Sequence, residues 1–275
     1  MTNVLARGSQ QAATQWTLRV RGPAYAVMME CLRIQSGARR QSRIARLLGV
    51  NPLLEDARSW YRGALGELQV ARLLKRLPAE WTVLHAVPVG TGTSDIDHML
   101  IGPGGVFTIN TKNHSGQHVW AGGDTLLVNG HRTNHIGDAR YEASRATRLL
   151  NSGAGDPCDV TPVIAVVDPG SIKFGHTRPD GVLVIASSQL ERTLLRRKRV
   201  LTDDAIVALT ALAEQRGTWH SDAHVLDDTL RHEARFRRLQ GAVDAATRRR
   251  VGWVLSGAGF AAVVTAVLVV LPWAA

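Results

Sequence analysis

Cysteine and lysine are scarce in this sequence of 275 residues. The two cysteines, Cys31 and Cys158, stand far apart and have no His or Cys neighbours at metal-binding spacing, so neither a zinc site nor a disulfide framework is expected. Only four of the 33 basic residues are lysines, and arginine supplies the rest. The net charge of +10 favours an anionic partner, either nucleic acid or a membrane surface, without specifying a fold.

Charge is absent from the C-terminal segment that begins at Val251. As a helix, residues 251–273 would rise about 35 Å, which is enough to cross a hydrocarbon core of about 30 Å. Trp253 and Trp273 lie near the two ends of this segment, and residues 248–250 are all arginine. The sequence therefore predicts a single transmembrane helix that anchors the preceding chain to the cytoplasmic side of a cell membrane.

The N-terminal residues show no targeting signal. Residues 1–16 lack the apolar run of a secretory signal peptide, so the chain is not expected to be secreted. Together with the arginine bias, the lack of an organelle-targeting signal favours a bacterial origin.

Helical and strand patterns alternate through the middle of the chain. Residues 59–77 carry apolar side chains at three- and four-residue steps, which is the pattern of an amphipathic helix. Short apolar runs at 81–89, 161–169 and 181–188 are typical of buried strands, and a second helix is expected at 138–151. This order of elements predicts an α/β fold with a mixed sheet and flanking helices.

The segment 94–114, SDIDHMLIGPGGVFTINTKNH, predicts two strands joined by a glycine-rich turn. If residues 102–105 form the turn, Asp97 lies opposite Asn110, and Asp95 lies opposite Lys112. Directly opposed residues share one face of a sheet, with Cβ atoms about 5 Å apart, and alternate residues keep that face. The four polar side chains would then form one cluster, which a one-residue slip in register would abolish.

Two interpretations of this cluster remain open. Carboxylates bind Mg²⁺, which would polarise a phosphate and activate water, and Lys112 would orient that water or stabilise charge on the phosphate. In the alternative, Asp97 and Asn110 form a cross-strand hydrogen bond, while Asp95 and Lys112 form a cross-strand ion pair.

The helix predicted at 59–77 offers a further carboxylate, Glu67. Gly63 and Gly66 are expected to let this helix approach the sheet closely, because neither carries a side chain. Taken alone, a glutamate on such a helix is more often a solvated surface residue.

The stretch GALGELQVARLL, followed by SDIDHMLIGPGGVFTINTKNHSG, resembles the nuclease-related domain known as NERD, which is grouped with the PD-(D/E)xK nucleases. The resemblance covers about residues 60–155. It implies a restriction-endonuclease-like mixed-sheet core and a role in DNA processing by Mg²⁺-dependent phosphodiester hydrolysis, with Mn²⁺ as a substitute metal. It also implies that Glu67 and Asp97 hold the metal and act with Lys112 in catalysis.

One position departs from the motif of that superfamily, which has an acidic residue two positions before the lysine. Here this position is Asn110, whose amide oxygen is a neutral and weaker metal ligand. Asp95 is a candidate to supply the missing charge. The sequence thus favours a membrane-anchored nuclease, and it leaves open a catalytically impaired module that binds nucleic acid or protein.

The helix at 138–151 carries three arginines, Arg140, Arg145 and Arg148. They are candidates to contact a nucleic-acid backbone, with DNA favoured over RNA, because phosphate contacts supply most of the affinity for nucleic acid. A solvated basic helix face explains the same residues equally well.

The predicted organisation has four parts. They are a basic helical region at 1–58, the nuclease-like domain at 59–200, a helical region at 201–250 and the transmembrane helix at 251–273. No oligomeric state follows from the sequence.

Overall fold

The structure is a computed structural model that describes residues 17–89, 95–153, 157–219 and 229–270, with side chains described as far as residue 257. The chain separates into two compact units. The first unit consists of Met1–Met28 and Ser59–Thr229, and the second consists of Met29–Arg58 and Leu230–Ala275.

Helices and strands alternate along the described residues. The helices are α1 (Tyr25–Gln35), α2 (Arg43–Leu47), α3 (Arg58–Leu74), α4 (His135–Asn151), α5 (Leu190–Leu195), α6 (Asp203–Ala213), α7 (Arg216–Trp219) and α8 (Thr229–Val270). The strands are β1 (Thr82–Pro88), β2 (Asp95–Gly102), β3 (Gly105–Asn113), β4 (His118–Gly122), β5 (Thr125–Val128), β6 (His131–Thr133), β7 (Val160–Val167), β8 (Ser171–Phe174) and β9 (Leu183–Ala186).

The central sheet of the first unit has the strand order β1-β2-β3-β7-β9. Its first three strands are antiparallel, whereas β3, β7 and β9 run parallel, so the sheet is mixed. A smaller sheet has the order β6-β5-β4-β8. The predicted α/β class with a mixed sheet is therefore confirmed.

Apolar side chains cover both faces of the central sheet. Val70 of α3 packs in one buried cluster with Leu100 of β2, whereas Met99 of the same strand packs in another with Ala146 of α4. Successive residues of a strand point to opposite faces, so α3 and α4 cover opposite sides of β2. Side chains from both helices thereby reach the polar end of the β2–β3 hairpin.

The hairpin has the predicted register but a shorter turn. Ile101 pairs with Val106, as expected, and Gly102 also pairs with Gly105. The strands therefore continue into the segment assigned to the turn, which leaves only Pro103 and Gly104 between them. The hairpin ladder between β2 and β3 extends from this turn as far as His98, which pairs with Ile109.

The side-chain alternation of β2 breaks at Asp97. Ile96 and Met99 belong to the same buried cluster, although residues three apart in a regular strand face opposite sides. The β1–β2 pairing also skips Ala86 and Asp97, and Ala86 has a left-handed φ of 49°. Strict alternation therefore does not hold through this point, although Asp95 and Asp97 remain close enough that the charge of Asp97 raises the pKa of Asp95.

The second unit joins a turn of the chain to the long helix α8. Arg249 and Trp253 of α8 donate side-chain hydrogen bonds to the carbonyls of Arg46 and Leu47, at 3.0 and 2.9 Å. Gly49 has a φ of 72°, and a Cβ atom at this position would lie 2.6 Å from the carbonyl oxygen of Ala246. Only glycine fits this contact without displacing the backbone.

The predicted transmembrane helix is not supported. Among the described residues, no helix combines the length and the apolar character needed to cross a bilayer. The backbone of α8 is helical as far as Val270, and residues 271–273 of the predicted span lie outside the described part of the chain.

Candidate functional site

Glu67 is a buried carboxylate on the side of α3 that faces the sheet. It lies three residues after Ala64 and four before Ala71, and all three are buried, so Glu67 belongs to the apolar face of the helix. Only 6% of the residue is exposed. Burial raises the pKa of Glu67 well above its ordinary value, and the charge of Asp97 raises it further.

Gly66 gives α3 its close approach to β3. A Cβ atom at Gly66 would lie 3.1 Å from the Cβ of Asn113 and 3.5 Å from the Cγ2 of Thr111. A Cβ atom at Gly63 would meet no atom within 4 Å. Of the two glycines predicted to allow the approach, only Gly66 does so.

Asp97 occupies the gap where the β2–β3 ladder ends. Its Oδ2 accepts a hydrogen bond of 2.6 Å from the backbone N–H of Thr111, so it does not form the predicted cross-strand pair with Asn110. Burial raises the pKa of Asp97 to about 6, although the Lys112 ammonium and the Thr111 N–H lower it. Asp97 and Lys112 thus lie close enough to influence each other, as the sequence predicted.

Asp95 has a different partner from the one predicted. Its Oδ2 lies 3.0 Å from a guanidinium nitrogen of Arg21, and both side chains are about a tenth exposed. Burial raises the pKa of Asp95 to about 6, against the effect of Arg21. Asp95 thus pairs with Arg21, which comes from a chain segment outside the hairpin, and not with Lys112 as the ion-pair interpretation expected.

Asn110 faces Glu142, a residue that the sequence did not single out. The Nδ2 of Asn110 donates hydrogen bonds of 3.0 Å to both carboxylate oxygens of Glu142 on α4. The Oδ1 of Asn110 is buried and has no hydrogen-bond partner among the described residues. Burial raises the pKa of Glu142 to about 7, and Asp97 raises it further.

The position of Glu142 had a signal in the sequence. It lies three residues after Ala139 and four before Ala146, both of which are buried, so helical spacing places it on the buried side of α4. The same pattern distinguishes Glu67. The spacing of a carboxylate between alanines therefore indicated from the sequence that Glu142 is buried. Its pairing with Asn110 could be found only in the tertiary structure.

The charges of the site do not balance. Four carboxyl groups, those of Glu67, Asp95, Asp97 and Glu142, share the surroundings of Lys112 and Arg21, and all four have raised pKa values. Grouped carboxylates raise one another's pKa and favour a bound cation. In the described part of the chain, however, no three His, Cys, Asp or Glu side chains converge on one metal position.

A pair of histidines lies near Lys112 at the entrance to α4. The Nε2 atoms of His114 and His135 are 3.2 Å apart. Burial lowers the pKa of His135 to about 3, and Lys112 lowers it further. The sequence showed no spacing that would link these two residues.

The three arginines of α4 differ in their surroundings. Arg140 donates hydrogen bonds to Asp124 and to the carbonyl of Asp180, so its guanidinium is already engaged. Arg145 is partly buried, and its Nε has no hydrogen-bond partner among the described residues. Arg148 is exposed. The structure thus leaves Arg148 as the most accessible of the three for a nucleic-acid backbone.

The first unit is a mixed-sheet α/β domain that brings a helix glutamate, a strand aspartate and a lysine into one partly buried site. The family model of the nuclease-related domain, NERD, matches residues 62–167, so the chain contains a nuclease-related domain, as the sequence motifs indicated.

An uncharacterized protein of Bacillus anthracis is 39% identical to this chain over 77 residues, which are 26% of this chain and 36% of that protein. The match therefore spans about a third of the relative's length. No solved structure matches the chain.

Proposed function

We propose that the nuclease-related domain binds DNA and hydrolyses phosphodiester bonds with a divalent metal ion. The observation that carries this proposal is the grouping of Glu67, Asp97 and Lys112: the charge of Asp97 raises the pKa of Glu67, and the ammonium of Lys112 lowers the pKa of both carboxyl groups. In this arrangement, the carboxylates hold a cation, and the ammonium of Lys112 orients a water molecule or stabilises charge on the phosphate.

The chemistry of the donor atoms fits a hard metal ion. Nuclease-like domains are generally metal-dependent, and the site offers carboxylate oxygens together with the unpartnered amide oxygen of Asn110. Mg²⁺ keeps several water ligands and needs only one or two protein carboxylates, so it does not require three acidic side chains at one point. Glu67, Asp97 and Asn110 would hold the ion, and Asp95 would add negative charge nearby. The ion, either Mg²⁺ or Mn²⁺, would polarise the phosphate.

The lysine substitution Lys112→Ala tests the proposed catalysis. The full chain is incubated with single- and double-stranded DNA in Mg²⁺, Mn²⁺ or EDTA, and the cut products are measured. Because removing one group that stabilises the charge developing on the reacting atoms costs roughly 10²- to 10³-fold, we expect metal-dependent cutting to fall by about 100-fold or more in the variant.

The matched control is Lys173→Ala, which removes an exposed lysine from β8 in the smaller sheet. Cutting should stay at the wild-type rate in this control. Equal cutting by the wild type and Lys112→Ala would contradict the proposed role of the lysine, and equal cutting in EDTA would contradict the metal.

A second function is favoured by one residue. Asn110 stands where the nuclease motif has an acid, and a neutral ligand binds a metal more weakly than a carboxylate. In this alternative the domain binds nucleic acid without cutting it. Salt-sensitive binding to DNA with no product in any metal would support the alternative.

We infer from the sequence alone that the chain is held at the cytoplasmic side of a membrane. The uncharged segment from Val251 and the arginines at 248–250 support this location, and Trp253, Val254 and Leu255 are exposed in the second unit. Fractionation of cells that express the full chain tests it. Recovery in the membrane fraction is expected, whereas recovery in the soluble fraction would reject this location.

A further inference from the structure

We propose that Glu142 on α4 supplies the acidic metal ligand whose usual position in the strand, residue 110, is occupied by asparagine. This inference rests on the proposed metal-dependent function, and it adds a ligand that the hairpin motif does not contain. It also assigns Asn110 a second task, which is to hold the Glu142 carboxylate in place.

The hydrogen bonds between the two residues fix their orientations. Both oxygens of Glu142 accept from the Nδ2 of Asn110, at 3.0 Å each. A carboxylate accepts hydrogen bonds and an amide nitrogen donates them, so the Nδ2 of Asn110 must be the atom that faces Glu142. The Oδ1 of Asn110 is consequently left without a partner in a residue that is only 5% exposed.

An unpartnered buried amide oxygen is costly unless a donor or a cation meets it. A metal ion beside Asn110 and Glu142 would satisfy this oxygen and neutralise the carboxylate together. The two residues would then offer one neutral oxygen and one charged oxygen, where the nuclease motif offers a single acid.

Glu142 lies in the same electrostatic environment as the residues of the motif. The charge of Asp97 raises the pKa of Glu142, and the charge of Lys112 lowers it. The ion would therefore meet the carboxylates of Asp97 and Glu142 together with Asn110, while Glu67 on the opposite face of the sheet adds negative charge. This set needs only two carboxylates at one point, in keeping with the lack of any three such side chains at one position among the described residues. The charge missing from the strand is present in the site, contributed by another element.

A simpler role for Glu142 is to tie α4 to β3 through its hydrogen bonds with Asn110. The substitution Glu142→Gln separates the two roles, because glutamine still accepts a hydrogen bond from Asn110 but carries no charge. The double substitution Asn110→Asp with Glu142→Gln returns the carboxylate to the strand and keeps an amide as its partner. The matched control is Glu80→Gln, the same change at an exposed glutamate that influences none of the site's carboxyl groups.

The experiment measures Mn²⁺ binding to the full chain by isothermal titration calorimetry, and Mn²⁺-dependent DNA cutting in parallel. We expect Glu142→Gln to weaken Mn²⁺ binding by about 10-fold or more and to reduce cutting, with an unchanged thermal unfolding midpoint in EDTA or a higher one. The double variant should recover most of the Mn²⁺ affinity. Glu80→Gln should bind Mn²⁺ like the wild type.

Each outcome decides between the roles. Mn²⁺ binding by Glu142→Gln that equals wild-type binding would overturn the assignment of Glu142 while leaving the proposed function intact. Weak binding in Glu142→Gln that the double variant does not recover would make Glu142 a structural residue only, and would also overturn the assignment. A wild-type chain that neither binds Mn²⁺ nor cuts DNA would reject the proposed function itself, and the inference with it.

Discussion

Carboxyl groups outnumber basic groups around Asp97, and this excess of negative charge adds to the effect of burial on the pKa values of single residues. Each of the four acids is partly or fully removed from water, which disfavours its charged form. Lys112 and Arg21 offset part of this cost. The remaining negative charge is what a divalent cation would neutralise, which connects the burial of the acids to the proposed function.

The raised carboxyl pKa values predict an unusual dependence of stability on pH. The pKa of Glu142 rises from an unfolded value of about 4.3 to about 7 in the folded chain. Between these values the folded state holds a proton that the unfolded state has released, so the free energy of unfolding falls as the pH rises. Glu142→Gln removes this contribution. Between pH 4.5 and 7.5, the free energy of unfolding of the variant should therefore rise relative to that of the wild type by about 1–3 kcal/mol.

Urea unfolding in EDTA at several pH values measures this difference. Ser144→Ala, a neutral change on the same helix, is the control, and its difference from the wild type should not vary with pH. If the difference in unfolding free energy between Glu142→Gln and the wild type also does not vary with pH, Glu142 has the same pKa in the folded and the unfolded chain, which would contradict the prediction.

At the scale of elements, two helices and one hairpin determine where the site lies. The hairpin register depends on a two-residue turn at Pro103 and Gly104, and α3 reaches β3 through the contact at Gly66. The β2–β3 ladder ends at His98. Beyond this point, the carboxylate of Asp97 accepts a hydrogen bond from the N–H of Thr111, and Asp97 is not part of the ladder. The irregular end of the hairpin, rather than its regular part, therefore holds the site.

Two glycines of α3 give a matched test of the close approach. Gly63→Ala places its methyl group in open space, so it should stabilise the fold by up to about 1 kcal/mol through the higher helix propensity of alanine. Gly66→Ala gains the same propensity but crowds Asn113 and Thr111 at 3.1 and 3.5 Å. We expect Gly66→Ala to be about 1–3 kcal/mol less stable than Gly63→Ala and to cut DNA more slowly.

The measurement is the free energy of unfolding in urea, with DNA cutting assayed on the same preparations. Equal stability and equal cutting in the two variants would show that α3 moves away from β3 without cost. The site would then not depend on the contact at Gly66.

At the scale of the whole molecule, the excess of arginine is the property most relevant to a partner. A net charge of +10 favours an anionic partner, and the proposed binding of nucleic acid would therefore be sensitive to salt. Accessible arginines should contribute most to such binding, because a guanidinium that is already paired within the protein must lose that partner before it binds a phosphate.

Salt dependence distinguishes the arginines of α4. Each phosphate contact contributes about 0.9 to the slope of log affinity against log salt concentration. We expect Arg148→Ala to reduce this slope by about 1, because Arg148 is exposed. Arg140→Ala should change it less, because Arg140 is bound to Asp124 and Asp180.

Fluorescence anisotropy with a labelled DNA duplex, measured with the full chain at four or more salt concentrations, gives both slopes. An unchanged slope in Arg148→Ala would contradict the prediction that Arg148 contacts DNA. A larger effect in Arg140→Ala would show that its ion pair opens when DNA binds.

The sequence by itself determined the α/β class, the hairpin register, the helix that carries Glu67 and the closeness of Asp97 to Lys112. These features follow from local patterns, namely apolar periodicity, turn residues and strand alternation, whose effects extend over a few residues. The motif spacing in the same stretch also indicated the nuclease-related domain.

Only the tertiary structure decided which groups complete the site. Arg21 pairs with Asp95 across 74 positions of the chain, and Glu142 pairs with Asn110 across 32. No periodic pattern specifies such partners, since they depend on how α3 and α4 pack on the two faces of the sheet. Strand alternation also failed at Asp97, because the hydrogen bond of its carboxylate to Thr111 and the left-handed backbone at Ala86 replace the regular pairing there.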